Sequence, residues 1–277
     1  MTRCELKSVL ILGAGWTSTF LIPLLREEGI SYSATSTSGR EDTLKFIFDP
    51  ESDDAAPYKK LPAAETVLIT FPLKGKGQSS YLHRMYTKTH PDVAPHFIQL
   101  GSSGIFSIAD QAMWVTRHSE YNQTDARAVA EDELLSLGGC VLNLSGLWGG
   151  SRKPQDWIKR VATTKEQLQT KRSLHLIHGE DVARAVLGLH RSFTAHERWL
   201  LTDMFVYDWY ALIMGWGDGS AGGEDGEAAG RYRQWVRELM VEEGVRALPR
   251  SMEELGRCYD TREFFTRFGF SPAKARV

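Results

Sequence analysis

"VLILGAGWTS" occupies residues 9–18, where four aliphatic residues run straight into Gly13 and Gly15 with one alanine between them. A strand that ends in Gly-x-Gly and opens a helix directs backbone N–H groups and the positive helix end at a point where a pyrophosphate can sit. Gly13 permits the turn, Gly15 lets a phosphate approach the backbone, and Ser18 stands where the dinucleotide fingerprint has a third glycine. Ser18 is small enough to keep helix and strand close. Gly13, Ala14, Gly15, Trp16, Thr17 and Ser18 are therefore the expected cofactor contacts. A secretory signal is the rival reading, because Arg3 and Lys7 precede an apolar stretch that reaches Leu25. No small-x-small cleavage pattern follows, and glycine, serine and threonine interrupt the stretch.

Outward from this turn, short apolar runs alternate with helical periodicity. "SVLILG" (8–13), "SYSATS" (31–36), "KFIF" (45–48), "TVLITF" (66–71), "HFIQLG" (96–101) and "CVLNLS" (140–145) read as strands, and 16–27, 77–90 and 123–137 as helices. Strands apolar on both faces, alternating with helices, predict a doubly wound α/β fold with a parallel sheet, a Rossmann architecture. Only the 37–44 link lacks a helix, and an irregular turn is expected there. "SLHLIHGEDVARAVLGLH" (173–190) gives a further strand and a helix from near Glu180, and "RWLLTD" (198–203) a last strand.

The chain divides by this reading into a dinucleotide-binding domain, 1–172, whose core continues through 173–203, and a smaller substrate-side subdomain, 204–277. Within the latter, "GDGSAGGEDGEAAG" (217–230) has the composition of a flexible loop. An amphipathic helix follows over 231–244, with Trp235, Leu239 and Met240 on one side. "REFFTRFGFSP" supplies aromatics to close the subdomain.

The end of the second strand chooses the cofactor. An acidic residue there would bind the ribose of NAD, whereas "ATSTSGRED" (34–42) offers hydroxyls and Arg40. A guanidinium grips phosphate in a bidentate way, so NADP is favoured over NAD, with Ser36, Ser38 and Arg40 on the 2′-phosphate. Phe71 and Pro72, after the fourth strand's apolar run, complete the expected cofactor wall.

Composition narrows the partners. Lys+Arg 33 against Asp+Glu 35 gives a formal charge of -2 with no basic block, which argues against nucleic acid and anionic membrane and leaves a small-molecule substrate. Cys4, Cys140 and Cys258 are odd in number and lack CxxC spacing, so no disulfide framework or zinc site is expected, and a reducing, cytoplasmic setting fits. His83 and His90 follow no ligand spacing, so no metal is assigned. The carboxylates of "TDARAVAEDELL" read as a solvated helix face.

Together these segments resemble the extended and atypical branch of the short-chain dehydrogenase/reductase superfamily, the NAD-dependent epimerase/dehydratase-like proteins. The resemblance runs over about residues 8–210. It rests on "VLILGAGWTS", "QLGSSGIF", "AEDELL", "LNLSGLWGGSR" and "HLIHGEDVARAV" in the family's order. It implies that Ser102 and Ser103 match the serine that holds the substrate oxygen. It also places Gln123 and Arg127 where active members carry the Tyr-x-x-x-Lys dyad. Glutamine cannot act as a general acid, while Arg127 can still bind ribose hydroxyls. Tyr121, two residues earlier, and Tyr207, in "MFVYDWY" (204–210), are the candidate proton donors, with Ser103 on the reacting oxygen.

Three functions follow: an NADP(H)-dependent oxidoreductase or epimerase with a non-standard proton donor, a non-catalytic NADP-binding sensor or scaffold, or a cofactor-independent isomerase or lyase in a repurposed pocket.

Overall fold

The computed structural model describes residues 6–40, 42–108, 113–216, 224–275 and 277. Along the chain run β1 (Lys7–Leu12), α1 (Ser18–Glu27), β2 (Tyr32–Ser36), β3 (Leu44–Lys45), α2 (Ala56–Lys59), β4 (Ala64–Ile69), α3 (Gln78–Thr89) and β5 (His96–Ser102). After a 3-10 turn at Ser103–Phe106 come β6 (Trp114–Val115), α4 (Ala126–Ser136), β7 (Cys140–Leu144), β8 (Gly146–Trp148), α5 (Ile158–Val161) and α6 (Lys165–Gln169). The remainder is β9 (Ser173–Leu174), β10 (Leu176–His178), α7 (Gly179–Arg191), β11 (Arg198–Leu201), β12 (Tyr207–Asp208), α8 (Trp209–Trp216), α9 (Glu224–Glu242), α10 (Met252–Leu255), β13 (Cys258–Tyr259) and α11 (Arg262–Phe268).

Seven strands form one parallel sheet in the order β11-β7-β5-β4-β1-β2-β3. This is the doubly wound Rossmann arrangement that the alternating pattern predicts. One face is covered by α1 and α7, which bring Leu21, Leu25, Val182 and Val186 onto Val9, Ile11 and Leu100. On the other face α3 and α4 lay Leu82, Met85, Tyr86, Ala130 and Leu134 over Leu10, Val67, Phe97 and Val141. A strand covered on both sides must be apolar on both, which is why β1, β4 and β7 are continuous hydrophobic runs.

Strand order reverses between β1 and β4, and the crevice beyond their carboxyl ends is the general ligand position of open α/β sheets. Three short ladders, β6 with β13, β8 with β10 and β9 with β12, draw on segments that directly follow β5, β7 and β11. The loops beyond the carboxyl ends of these strands are thereby tied to one another.

Four expectations need correction. The strand read over 45–48 is confined to Leu44–Lys45, because Phe46 turns into the core at 4% exposure and takes the chain off the sheet edge. The loop read over 217–230 is corrected from Glu224 onward, which is already α9, while 217–223 lie outside the described residues. That helix is anchored where Tyr232, Val236 and Leu239 pack on Tyr210, Ile213, Ile158 and Leu168. Once nucleated, it extends backward through Glu and Ala at little cost. The aromatics of "REFFTRFGFSP" do not close a separate subdomain, since Phe264 and Phe265 belong to the main core with Val9, Val186 and Trp199. Finally, the acidic face of α4 is not all solvated. Glu131 is fully buried, and Glu133 receives the amides of Gly77, Ser79 and Ser80 at 2.9–3.1 Å, capping α3 from a neighbouring helix.

Candidate functional site

At the end of β1 the chain turns at Gly13, whose φ of +94° belongs to glycine; a Cβ there would lie 2.8 Å from Thr70 Oγ1. Two threonines pin this turn. The Gly13 amide donates to Thr35 Oγ1 at 3.0 Å, and the Ala14 amide to the Thr35 carbonyl at 2.6 Å. Thr70 donates to the carbonyls of Leu12 and Gly13. Gly15 is different, because a Cβ placed on it meets nothing closer than the Gly13 carbonyl at 4.0 Å and so projects into open space.

That space is a cleft of about 430 Å³ lined by Gly13–Thr17, Ser36, Thr37, Ser38, Arg40, Thr70, Phe71, Leu147 and Arg152. Ser36 builds the next wall: its Oγ accepts the amides of Gly39 and Arg40, which fixes the 37–40 turn. Arg40 then reaches back to donate to the Ala14 carbonyl. Ser38 joins the same wall. Across the cleft, the Arg152 guanidinium lies 4.4 Å from the centre of the Trp16 ring, and Trp16 Nε1–H donates to the Gly149 carbonyl at 3.1 Å. Neither arginine pairs with a carboxylate among the described residues, and partial burial of Arg152 lowers its pKa from the ordinary value.

The residues present suit a dinucleotide. Two guanidiniums with no carboxylate partner among the described residues flank a glycine turn that opens a helix, a Gly15 side chain would fill the cradle, and Ser18 Oγ in the first turn of α1 is buried without a partner among the described residues. Thr35, Thr70 and Arg152 escaped the sequence reading. The threonines carry a usable signal, since each ends a strand flanking the glycine turn; Arg152 carries none, because its place depends on a loop 133 residues away from Trp16.

The substrate-side residues are spread more widely. Ser102 Oγ accepts the Gly104 amide, while its backbone N–H donates to buried Glu131. Ser103 is buried, its carbonyl accepts Tyr259 Oη–H at 2.8 Å, and its hydroxyl has no partner among the described residues. Gln123 is exposed ahead of α4. Arg127 spends Nη2 on the Leu100 carbonyl at 3.1 Å, and its Nε is buried without a partner. Tyr121 donates to Asp132 at 2.8 Å under the Arg198 guanidinium. Burial and that carboxylate hold its pKa above the usual phenol value. Tyr207 donates to Asp203 at 2.5 Å, and burial pushes the Asp203 carboxyl up to about 6. Neither tyrosine lines the dinucleotide cleft, and neither does Pro72, which is exposed.

Behind the serines lies a buried ionic cluster. Arg198 donates to Glu131, to Asn143 Oδ1 at 2.8 Å and to Asp132 at 2.6 Å, while Asn143 Nδ2 donates to Glu131 at 2.8 Å and to the Ser102 carbonyl at 3.0 Å. Gly101 makes room, as a Cβ there would come within 2.6 Å of both Asn143 and Glu131. The backbone of Ser102 is thus held through both its N–H and its C=O.

His175, buried beside Tyr259, accepts that residue's amide through Nε2 at 3.0 Å, and burial with nearby Arg257 drives its pKa down to about 3. Below about 6.5 the unfolded chain binds a proton at His175 that the folded chain refuses, so stability falls as pH drops from there toward 3. Replacing His175 with glutamine should flatten this limb of a melting-temperature profile against pH. An unaltered slope would show that other groups set it.

No family model matches the sequence, and no curated protein matches it. Solved structures do share the fold. Vestitone reductase from alfalfa superposes with a TM-score of 0.64 at 16% identity, covering 97% of this chain and 94% of that one. UDP-N-acetylglucosamine 4-epimerase from Bacillus cereus gives 0.60 at 9%, covering 97% and 92%. The human epimerase family protein SDR39U1, solved with NADPH, gives 0.58 at 12%, covering 96% and 95%. The fold is thus that of the epimerase/dehydratase-like short-chain dehydrogenases the motifs resemble.

Proposed function

We propose that this chain binds NADP(H) in the cleft beyond β1 and β4 and acts as an oxidoreductase or epimerase on a small organic molecule. The observation that carries the reading is the pair of guanidiniums, Arg40 and Arg152, lining a cleft at a glycine turn with no carboxylate paired to either among the described residues. A cleft so charged favours a polyanion. The human epimerase family protein of the same fold, solved with NADPH, supports the choice of a nicotinamide nucleotide.

Gly13–Ser18 and Trp16 receive the pyrophosphate end, and Ser36, Ser38 and Arg40 receive the adenosine ribose phosphate. When bound, the nicotinamide supplies the hydride chemistry. Ser103 holds the reacting oxygen through its hydroxyl, and Arg127 remains near the end of β5 as the positive charge on the ribose side. Of the two phenols, Tyr207 is the better proton donor: it sits on a carboxyl that titrates near about 6 and can pass a proton on near neutral pH.

Replacing Arg40 with alanine should weaken NADPH by about 1.5–3 kcal/mol, roughly tenfold to a hundredfold, and spare NADH. Fluorescence titration of both cofactors reads the difference. Equal loss for both, or none, removes Arg40 from the 2′-phosphate.

A second reading, a non-catalytic NADP(H) sensor, is favoured by exposed Gln123 in the dyad position and by the commitment of the Tyr121 hydroxyl to Asp132. A panel of carbonyls and alcohols separates the two: turnover with NADPH or NADP supports the enzyme, and tight binding with none supports the sensor. Purified protein that neither retains nor binds a nicotinamide nucleotide would leave the cofactor-independent reading standing.

A further inference from the structure

The sequence "WGGSR" closes on itself at Gly149–Arg152. The Gly149 amide donates to the Arg152 carbonyl at 2.9 Å and the Arg152 amide returns to the Gly149 carbonyl at 3.1 Å, giving a turn locked at both ends. Gly149 and Gly150 adopt φ of +110° and +57°, and a Cβ on Gly149 would lie 2.2 Å from His178 Nε2. Only glycine permits this turn to lie against His178, and His178 is itself fixed as the N-cap of α7. The turn is also tied to the nucleotide side, because Trp16 donates to Gly149 and packs edge-on against Phe20, which packs edge-on against His178. Arg152 therefore reaches the cleft from a rigid support, with its guanidinium over the indole.

We propose that Arg152 is a cofactor-phosphate ligand, gripping the pyrophosphate across the glycine turn while Arg40 takes the ribose 2′-phosphate. The assignment rests on the reading of the cleft as a dinucleotide site. Its basis is the lining position, the absence of a carboxylate partner among the described residues, and a donor fork held in place before any ligand arrives. Since both NADPH and NADH carry a pyrophosphate, Arg152 contributes to affinity without choosing between them, whereas Arg40 chooses. Arg152 is for the most part exposed, so truncating it leaves no cavity in the core.

The test is to titrate the parent protein, Arg152→Ala and Arg152→Lys with NADPH, NADH and adenosine 2′-monophosphate, and to melt each protein without ligand. Arg152→Ala should lose roughly tenfold to a hundredfold for both dinucleotides alike, keep the parent affinity for adenosine 2′-monophosphate, and melt like the parent. Arg152→Lys should fall between, since it keeps the charge and loses the fork. Unchanged dinucleotide affinity, or a loss confined to NADPH, overturns the assignment. So does a lowered ligand-free melting temperature with Arg152→Lys no better than Arg152→Ala, which makes the side chain a packing element of Trp16. Failure of the parent itself to bind either dinucleotide overturns the reading of the cleft, and the assignment with it.

Discussion

Gly15→Val should abolish dinucleotide binding, lowering affinity by at least about a hundredfold, roughly 2.7 kcal/mol, while leaving the fold intact. The two glycines of the turn differ in what they test. A side chain at Gly13 would strike Thr70 at 2.8 Å in a left-handed backbone conformation, so its replacement damages the protein before any ligand is added. At Gly15 nothing stands within 4.0 Å except the Gly13 carbonyl, and valine's methyls would enter the cleft that the cofactor is to occupy. Ligand-free melting temperature and cofactor fluorescence, measured on the same variant, separate these effects. Parent-like affinity in a folded Gly15→Val protein would remove the cofactor from this turn altogether.

The second large effect is expected at the cluster behind the serines. Arg198→Met should destabilise the protein by about 3–5 kcal/mol, because it leaves Glu131, fully buried, with its charge facing only Asn143 and the Ser102 amide. For a chain of this size the melting temperature should drop on the order of 10 °C. Pairing Arg198→Met with Glu131→Met removes both charges and should recover much of the loss, since buried ion pairs replaced by apolar residues of similar volume are often tolerated. A single variant that melts like the parent would mean that Glu131 is held neutral or solvated. A double variant no better than the single would mean that shape, rather than charge, is what Arg198 supplies.

Much of the architecture was open to a reading of periodicity because a doubly wound sheet writes itself plainly. β1, β4, β5 and β7 are apolar on both faces, α1, α3 and α4 fall within a few residues of their expected limits, and the glycine turn sits at the strand-order reversal. The lining of the cleft was legible for the same local reason: Gly13–Thr17, Ser36, Ser38, Arg40 and Phe71 lie in two turns and a strand end. Periodicity failed where a polar residue is buried by virtue of a distant partner. Glu131 looks like one more carboxylate on an acidic helix until Arg198, 67 residues on, is brought across from the sheet edge. Arg152 was hidden likewise, since nothing local announces that its turn folds back onto Trp16. The aromatic segment near 264 was misassigned because sequence proximity suggested a subdomain, whereas its rings fit the gap beside Trp199 and α7.

That last packing sets the order in which the molecule can be completed as it leaves the ribosome. Val9 and Phe264 share one core, and the edge strand β11 receives Phe264 and Phe268 on Trp199 at ring distances of 5.7 and 5.4 Å. The first strand must therefore wait for residues far along the chain to seal its layer, with its parallel neighbours supplied piecemeal. Contacts so far apart in sequence make for slow, late consolidation. The nascent fold is left with an apolar opening beside Trp199 until α11 has emerged.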